Sequence, residues 1–459
     1  MTLSRSLALG AKLVALAVPA TAAANTTEQF SSPRGGEALV ALTAAAPGAD
    51  WGTSGAESAV VALRLDGRKV EDLVLFAGAR PFTYRAALGR IAPGRHRLDV
   101  GFVARKSPPG ARAPRISAVR VSLAGPDEGR AARFSPIVVG RDIPEVPGVY
   151  ENNHTDVPLL AYHTTSTDDQ GRTVIEYTEI WSNEDGGTNT PALMARWGRT
   201  TDIEWIYRVT LGADGRPVSE VYQAPNHATL PFTGVKVDDH PVLRTATANN
   251  NMLQVDDLRA APNLLFFPDT TQTLPAGRAR EAAMDANPWT YQVMAKEMVR
   301  EGKVEATPSP ATADMSDQRD YLFAEVKKTT TYPQPPADGA WVGTALEVKL
   351  TGDATWYSSN HHVPDSSIQR DDPAATTVEL PAGTTPDRIE AIRAVAVPVA
   401  ATVPPAPAPA DYRIEVTALN RGFMLDGTYL PGESFVAWNG SVVLTPAQPA
   451  AVLWTAAGA

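Results

Sequence analysis

The 459-residue chain contains no cysteine. That absence excludes disulfides, thiol nucleophiles, thiolate-held zinc and iron–sulfur clusters, so a bound metal would be held by carboxylate, carbonyl or imidazole. Small exported domains often depend on disulfides, but a chain of this length can bury cores large enough to dispense with them. A basic surplus is also missing. Forty-one Lys and Arg against 51 Asp and Glu leave a formal charge of −10, the opposite of the basic face that a nucleic-acid binder presents. No apolar run reaches the roughly 18–20 residues that cross a bilayer, so no transmembrane anchor is expected. There is no Gly-x-Ser-x-Gly elbow, no Gly-x-Gly-x-x-Gly after a strand and no Gly-Lys-Ser/Thr loop. Serine-hydrolase and nucleotide-dependent chemistry therefore have no support.

What is present begins with an address. Arg5 and Lys12 supply positive charge, Leu13 to Ala20 a short apolar stretch, and Ala22-Ala23-Ala24 small residues for cleavage. That order is the pattern of a secretory signal peptide over residues 1–24. Cleavage near Ala24 would deliver a secreted or periplasmic protein.

Patterning predicts a mainly β chain, an N-terminal β-sandwich followed by a larger β-rich, sandwich-like domain with one or two short helices. The sandwich, an accessory domain over residues 30–125, is read from short alternating segments punctuated by Asp66-Gly67 and Pro93-Gly94, which are hairpin and turn signals. A connector spans 126–149. The central domain, 150–399, holds six of the seven histidines and six of the nine tryptophans, which makes it the candidate functional domain. Strands are expected at 173–181, 202–211 and 217–223, the last two joined through Asp214-Gly215. One helix is expected after Asn287-Pro288, where an N-cap precedes a Pro at the first helical position. Its Tyr291, Met294 and Met298 form a single apolar stripe, read as core. Residues 400–410 are a Pro/Ala-rich linker or loop. Residues 411–459 form a C-terminal β segment, with a hairpin expected at Asn439-Gly440, packed on the central domain.

The densest chemistry lies in Ala195–Arg208. If 202–209 is a strand, Ile203, Trp205, Tyr207 and Val209 face one way and Asp202, Glu204 and Arg208 the other. Two carboxylates two residues apart stand about 6–7 Å apart at the backbone, a spacing compatible with glycosidic acid–base chemistry. Asp202, Glu204, Glu184, His163 and Arg199 are the candidate catalytic residues. Trp197, Arg196, Tyr207 and His227 are the candidate substrate-binding set, with arginines suited to a uronate. Against this stands the ordinary reading of such a strand face as solvated charge with local ion pairs. Ser182–Thr188 offers oxygen ligands and a Gly-Gly turn that would suit a structural calcium, although EF-hand spacing is missing. His154, Asp156 and Asp185 are the candidate metal ligands. No cofactor is required by the sequence.

These features imply a secreted carbohydrate-active protein, a polysaccharide-degrading hydrolase or lyase, whose partner is a polysaccharide or cell-surface glycan. The alternatives are a non-catalytic glycan- or surface-binding protein, and a metal-dependent hydrolase. The last requires three of His154, His163, His227, His240, His361 and His362 to meet in space.

Overall fold

The computed structural model describes residues 24–126, 128–141, 155–184, 189–257, 263–274 and 277–456. The fold is mainly β, built from several antiparallel sheets. Most of the expected signal segment, and His154 and Asp185, lie outside the described residues. Among the described residues no helix is long and apolar enough to cross a membrane. The chain divides into two compact units, one ending at Gly186 but taking in Asp202–Thr273, the other made of Gly187–Thr201 and Leu274–Ala459. The expected central domain 150–399 is thus divided between them.

The first unit opens with β1 (Asn25–Ser32), β2 (Gly36–Ala45), β3 (Ala59–Leu65), β4 (Arg68–Leu75), β5 (Phe82–Ile91), β6 (Gly94–Phe102) and β7 (Arg115–Leu123). They form two sheets, ordered β1-β6-β3-β4 and β5-β2-β7. Alternation sets the faces: Val61, Leu63, Leu65, Leu98 and Val100 are buried, while Arg64 and Arg97 are exposed. Asp66 and Gly67 take the positive φ values that a tight β3–β4 hairpin demands.

Helix α1 (Gly129–Phe134) and β8 (Ile137–Val139) follow. Next comes a five-stranded antiparallel meander of β9 (Pro158–Thr167), β10 (Thr173–Trp181), β11 (Ile203–Leu211), β12 (Pro217–Ala224) and β13 (Ala228–Pro231). One face of the meander is aromatic. Tyr177 and Tyr207 stand 6.0 Å apart, Phe232 meets Tyr207 edge-on at 5.7 Å, and the Tyr177 hydroxyl donates to the Ala131 carbonyl of α1 at 2.7 Å. A smaller sheet of β14 (Lys236–Val237), β15 (His240–Thr245), β16 (Met252–Gln254) and β17 (Leu265–Phe266) gathers around β8. Its Ile137, Val139, Val242 and Phe267 share a buried cluster with Leu39 and Ala87 of the sandwich. The boundary expected at residue 125 is therefore bridged by apolar packing.

The second unit holds α2 (Thr190–Trp197), α3 (Ala282–Asp285) and α4 (Trp289–Arg300). Its strands are β18 (Tyr321–Thr331), β19 (Trp341–Leu350), β20 (Trp356–Ser358), β21 (Ala374–Glu379), β22 (Ile389–Val399), β23 (Ala401–Thr402), β24 (Pro405–Ala406), β25 (Arg413–Phe423), β26 (Trp438–Leu444) and β27 (Ala450–Thr455). Two four-stranded sheets, β21-β18-β25-β26 and β20-β19-β22-β27, enclose a core that includes Leu322, Val326, Leu346, Ile392, Ile414 and Leu444. Tyr291, Met294 and Met298 of α4 are buried as core. Residues 400–410 carry the short β23–β24 ribbon. Asn439-Gly440 makes no hairpin. Both sides of it pair with β25, through Leu419↔Trp438 and Val416↔Val442, so the backbone stays extended.

Candidate functional site

The site is built at the end of the meander where β10 and β11 pair irregularly. In β11, Tyr207 and Val209 are buried on the aromatic side and Arg208 looks the other way. Ile206 is an extra residue without a partner in β10. Trp205, whose ring centre lies 4.6 Å from the Arg208 guanidinium, therefore shares the Arg208 face, and Glu204 returns to the Tyr207 side against the alternation expected from sequence. Glu176 of β10 stands opposite Arg208 and accepts from its Nε at 2.8 Å, a local ion pair. Glu179 stands opposite Glu204. β10 runs without interruption from Tyr177 to Glu179, so Glu179 shares the tyrosine face, and the extra residue in β11 brings Glu204 opposite it. Glu179 is wholly buried, and that burial pushes its carboxyl up to about 8. Glu204 stays partly accessible.

His227 closes β12, the next strand. It and Asn226 both adopt left-handed backbone, with φ of +57° and +59°. Two consecutive non-glycine residues there carry strain of a kind that concentrates at functional positions. The half-exposed ring brings Nδ1 to 3.8 Å from a Glu204 carboxylate oxygen. Asn249 places its amide nitrogen 2.9 Å from Nε2. The Gln223 amide lies 3.3 Å from Nδ1.

The loop after β15 then couples this pair to Asp202. Asn250, next to Asn249 and itself at φ +44°, donates its amide to Asp202 Oδ2 at 2.9 Å. Arg141 donates to Asn250 Oδ1 and forms a 2.7 Å ion pair with Asp156, with both charged groups buried. Asp202 is itself fully buried, and its Oδ1 has no hydrogen-bond partner among the described residues. One loop thus ties the chain Asp156–Arg141–Asn250–Asp202 to the pair His227–Glu204, all within the first unit.

Four residues singled out by sequence, Asp156, Asp202, Glu204 and His227, therefore belong to one constellation. The others lie elsewhere. His163 is buried and donates Nδ1–H to the Thr270 carbonyl at 2.7 Å. Tyr207 is in the aromatic core, its hydroxyl donating to Glu220, and burial raises its pKa far above the ordinary value. Glu184 is half-buried beyond β10. Arg196, Trp197 and Arg199 belong to the second unit. There the Arg370 guanidinium lies 4.1 Å from the Trp197 ring centre, and Arg196 donates to the Asp365 carbonyl at 2.8 Å. Arg199 donates to Glu281 at 3.0 Å. Despite complete burial, the nearby Arg199, Arg370 and Arg280 charges hold the Glu281 carboxyl below its usual range.

Asp156 meets an arginine where a metal was expected, and His154 and Asp185 fall outside the described residues. Among the described residues no group of three or more His, Asp and Glu side chains is placed to hold a metal ion. Sequence reading missed Glu179, Gln223, Asn249, Asn250 and Arg141. The Asn249-Asn250-Asn251 run was a visible turn signal, since Asn tolerates left-handed backbone.

No protein-family model matches the sequence, and no curated protein matches it. Among solved structures, the C-terminal domain of EclA, a sugar-binding protein, is 18% identical over 26% of this chain and 83% of its own, at a TM-score of 0.17. A ruminal GH26 endo-β-1,4-mannanase is 10% identical over 23% of this chain and 19% of its own, at 0.17. Tandem CBM51 modules of a family 98 glycoside hydrolase from Streptococcus pneumoniae are 12% identical over 77% of this chain and 72% of their own, at 0.14. Scores this low carry no inference about fold or function.

Proposed function

We propose that the protein is a secreted carbohydrate-active enzyme that cleaves polysaccharide at the Glu204–His227 pair. The observation that carries this reading is the strained His227, held by Asn249 with its ring nitrogen 3.8 Å from Glu204 and both groups reachable from solvent. Behind them Glu179, protonated at neutral pH, stands opposite Glu204. Glu179 is wholly buried, so the substrate-facing groups are the Glu204 carboxyl and the His227 ring, which set a carboxyl group and a proton-transfer group side by side. Hydrolysis with Glu204 as the substrate-facing carboxylate is the preferred reading. Asp202, Asn250, Arg141 and Asp156 are positioning residues. Delivery outside the cytoplasm is assigned to the segment Arg5–Ala24.

The test is reducing-sugar release by the full secreted chain on a panel of neutral and uronate polysaccharides, with and without a chelator. Glu204→Gln and His227→Asn, the latter chosen because Asn tolerates left-handed backbone, should each lower kcat/KM by about 10²-fold or more. Wild-type activity on these variants refutes the assignment. Binding without cleavage by the wild type selects the non-catalytic reading. Activity abolished by chelator and restored by calcium assigns the expected structural ion.

A further inference from the structure

On one face of the N-terminal sandwich lies a hollow of about 520 Å³ across β1, β6 and β3. That volume falls within the roughly 300–1,000 Å³ usual for small-ligand sites. Its cause is local. Ala62 and Gly101 are register partners on β3 and β6, and Asn25 of β1 sits opposite Gly101 on the other side. The smallest side chains thus occupy the middle of the face, with longer polar ones around them.

The rim is fixed before any ligand arrives. Asp99 Oδ1 accepts from the Thr27 hydroxyl at 2.6 Å and from Arg97 Nε at 2.9 Å, and these bonds hold its carboxyl below the usual range. The Asp99 Oδ2 oxygen accepts no hydrogen bond from any described residue. Asn25 accepts from the Phe102 backbone N–H through Oδ1 at 2.9 Å, so its amide N–H groups point away from that bond. Arg64, on the exposed face beside Ala62, has no hydrogen-bond or ion-pair partner among the described residues. A carboxylate, a carboxamide and a guanidinium are planar groups that pair with vicinal hydroxyls, accepting from one and donating to its neighbour. The half-buried Phe102 adds apolar surface for a sugar ring face.

We infer that this hollow is a glycan-binding site for a sugar unit, held by Asp99, Asn25 and Arg64 over the floor of Ala62 and Gly101. The choice of a glycan among polyhydroxyl ligands rests on the proposed function. The hollow itself does not.

Affinity electrophoresis of the full secreted chain tests this in native gels cast with galactomannan, xylan, dextran or polygalacturonate. At least one of these polymers should retard the wild type. Asp99→Asn and Arg64→Ala should each weaken retardation about tenfold. Ala62→Trp, which fills the hollow, should abolish it. Asp99→Asn and Arg64→Ala should melt like the wild type, and all three variants should keep any glycan-cleaving activity. No retardation by any of these polymers, or retardation unchanged in the three variants, overturns the inference. Retardation lost in Glu204→Gln but kept in the hollow variants also overturns it, and assigns binding to the meander face. Retardation lost only in the hollow variants, with no polymer cleaved, sustains this site while the catalytic reading fails.

Discussion

Burial leaves neither carboxyl oxygen of Glu179 a hydrogen-bond partner among the described residues, and its pKa rises from 4.5 to about 8. The sign of the consequence follows from linkage. An acid whose folded pKa exceeds its unfolded value supports the fold fully below about pH 4.5, and that support drains away as pH rises toward about 8. At about 1.4 kcal/mol per unit the loss is on the order of 5 kcal/mol. Glu71, also wholly buried and raised by that burial, adds a slope of the same sign. Replacing Glu179 with Gln removes the ionisation while nearly conserving volume. Urea midpoints measured from pH 4 to pH 9 should coincide for the two proteins at the acid end and diverge above about pH 5, with Glu179→Gln the more stable. Parallel profiles would mean that Glu179 reaches water. Sequence patterning found Glu204 but put it on the Arg208 face, because the extra residue Ile206 in β11 leaves no compositional mark. It missed Glu179 because nothing local shows that β10 sets it opposite Glu204.

At the scale of elements, α2 had legible punctuation that sequence reading did not use. Asn189 caps it, accepting from the Ala192 N–H at 3.1 Å, Pro191 sits in its first turn, and Gly198 ends it at φ +65°. The charge-rich run from Ala195 to Arg208 masked this, because it was read as one constellation rather than as a helix end and a strand start. Docking of α2 on β21 is specific: the hydroxyls of Thr376 and Thr377 donate to the Ala195 and Met194 carbonyls at 2.6 and 3.0 Å. Gly198 lies so close that a Cβ would meet the Thr376 amide nitrogen at 2.9 Å. Gly198→Ala should therefore cost about 2–4 kcal/mol, combining left-handed strain with overpacking. Gly215, at φ +73° in the β11–β12 hairpin with open space around it, isolates the strain alone. Gly215→Ala should cost about 1 kcal/mol. Equal losses of thermal stability in the two variants would show that α2 yields at its C-terminus without resistance from β21.

For the whole molecule, composition foretold a β-rich chain, but not which distant segments share a sheet. Local alternation sets strand positions within one or two residues, as at 173–181. Pairing between β18 and β25 joins residues about ninety apart in sequence, and nothing local encodes it. The Pro/Ala-rich stretch at 400–410 reads as a place where a chain could end, yet the first strand beyond it, β25, is interior to its sheet. β25 lies between β18 and β26, and its Ile414, Val416 and Leu419 are buried in the common core. Removing residues 411–459 would strip β18 of one neighbour, take β27 from the edge of β22, and expose the apolar faces of both sheets. A chain stopped at Ala410 should therefore lose the cooperative unfolding transition of the second unit. It should also bind a hydrophobic dye at room temperature. The first unit, whose sheets contain no residue beyond Phe266, should keep its own transition. Differential scanning calorimetry of the truncated and full chains separates the cases. If the truncated chain keeps every transition of the full one, the last forty-nine residues are an appendage, and the β18–β25 pairing does not hold the second unit together.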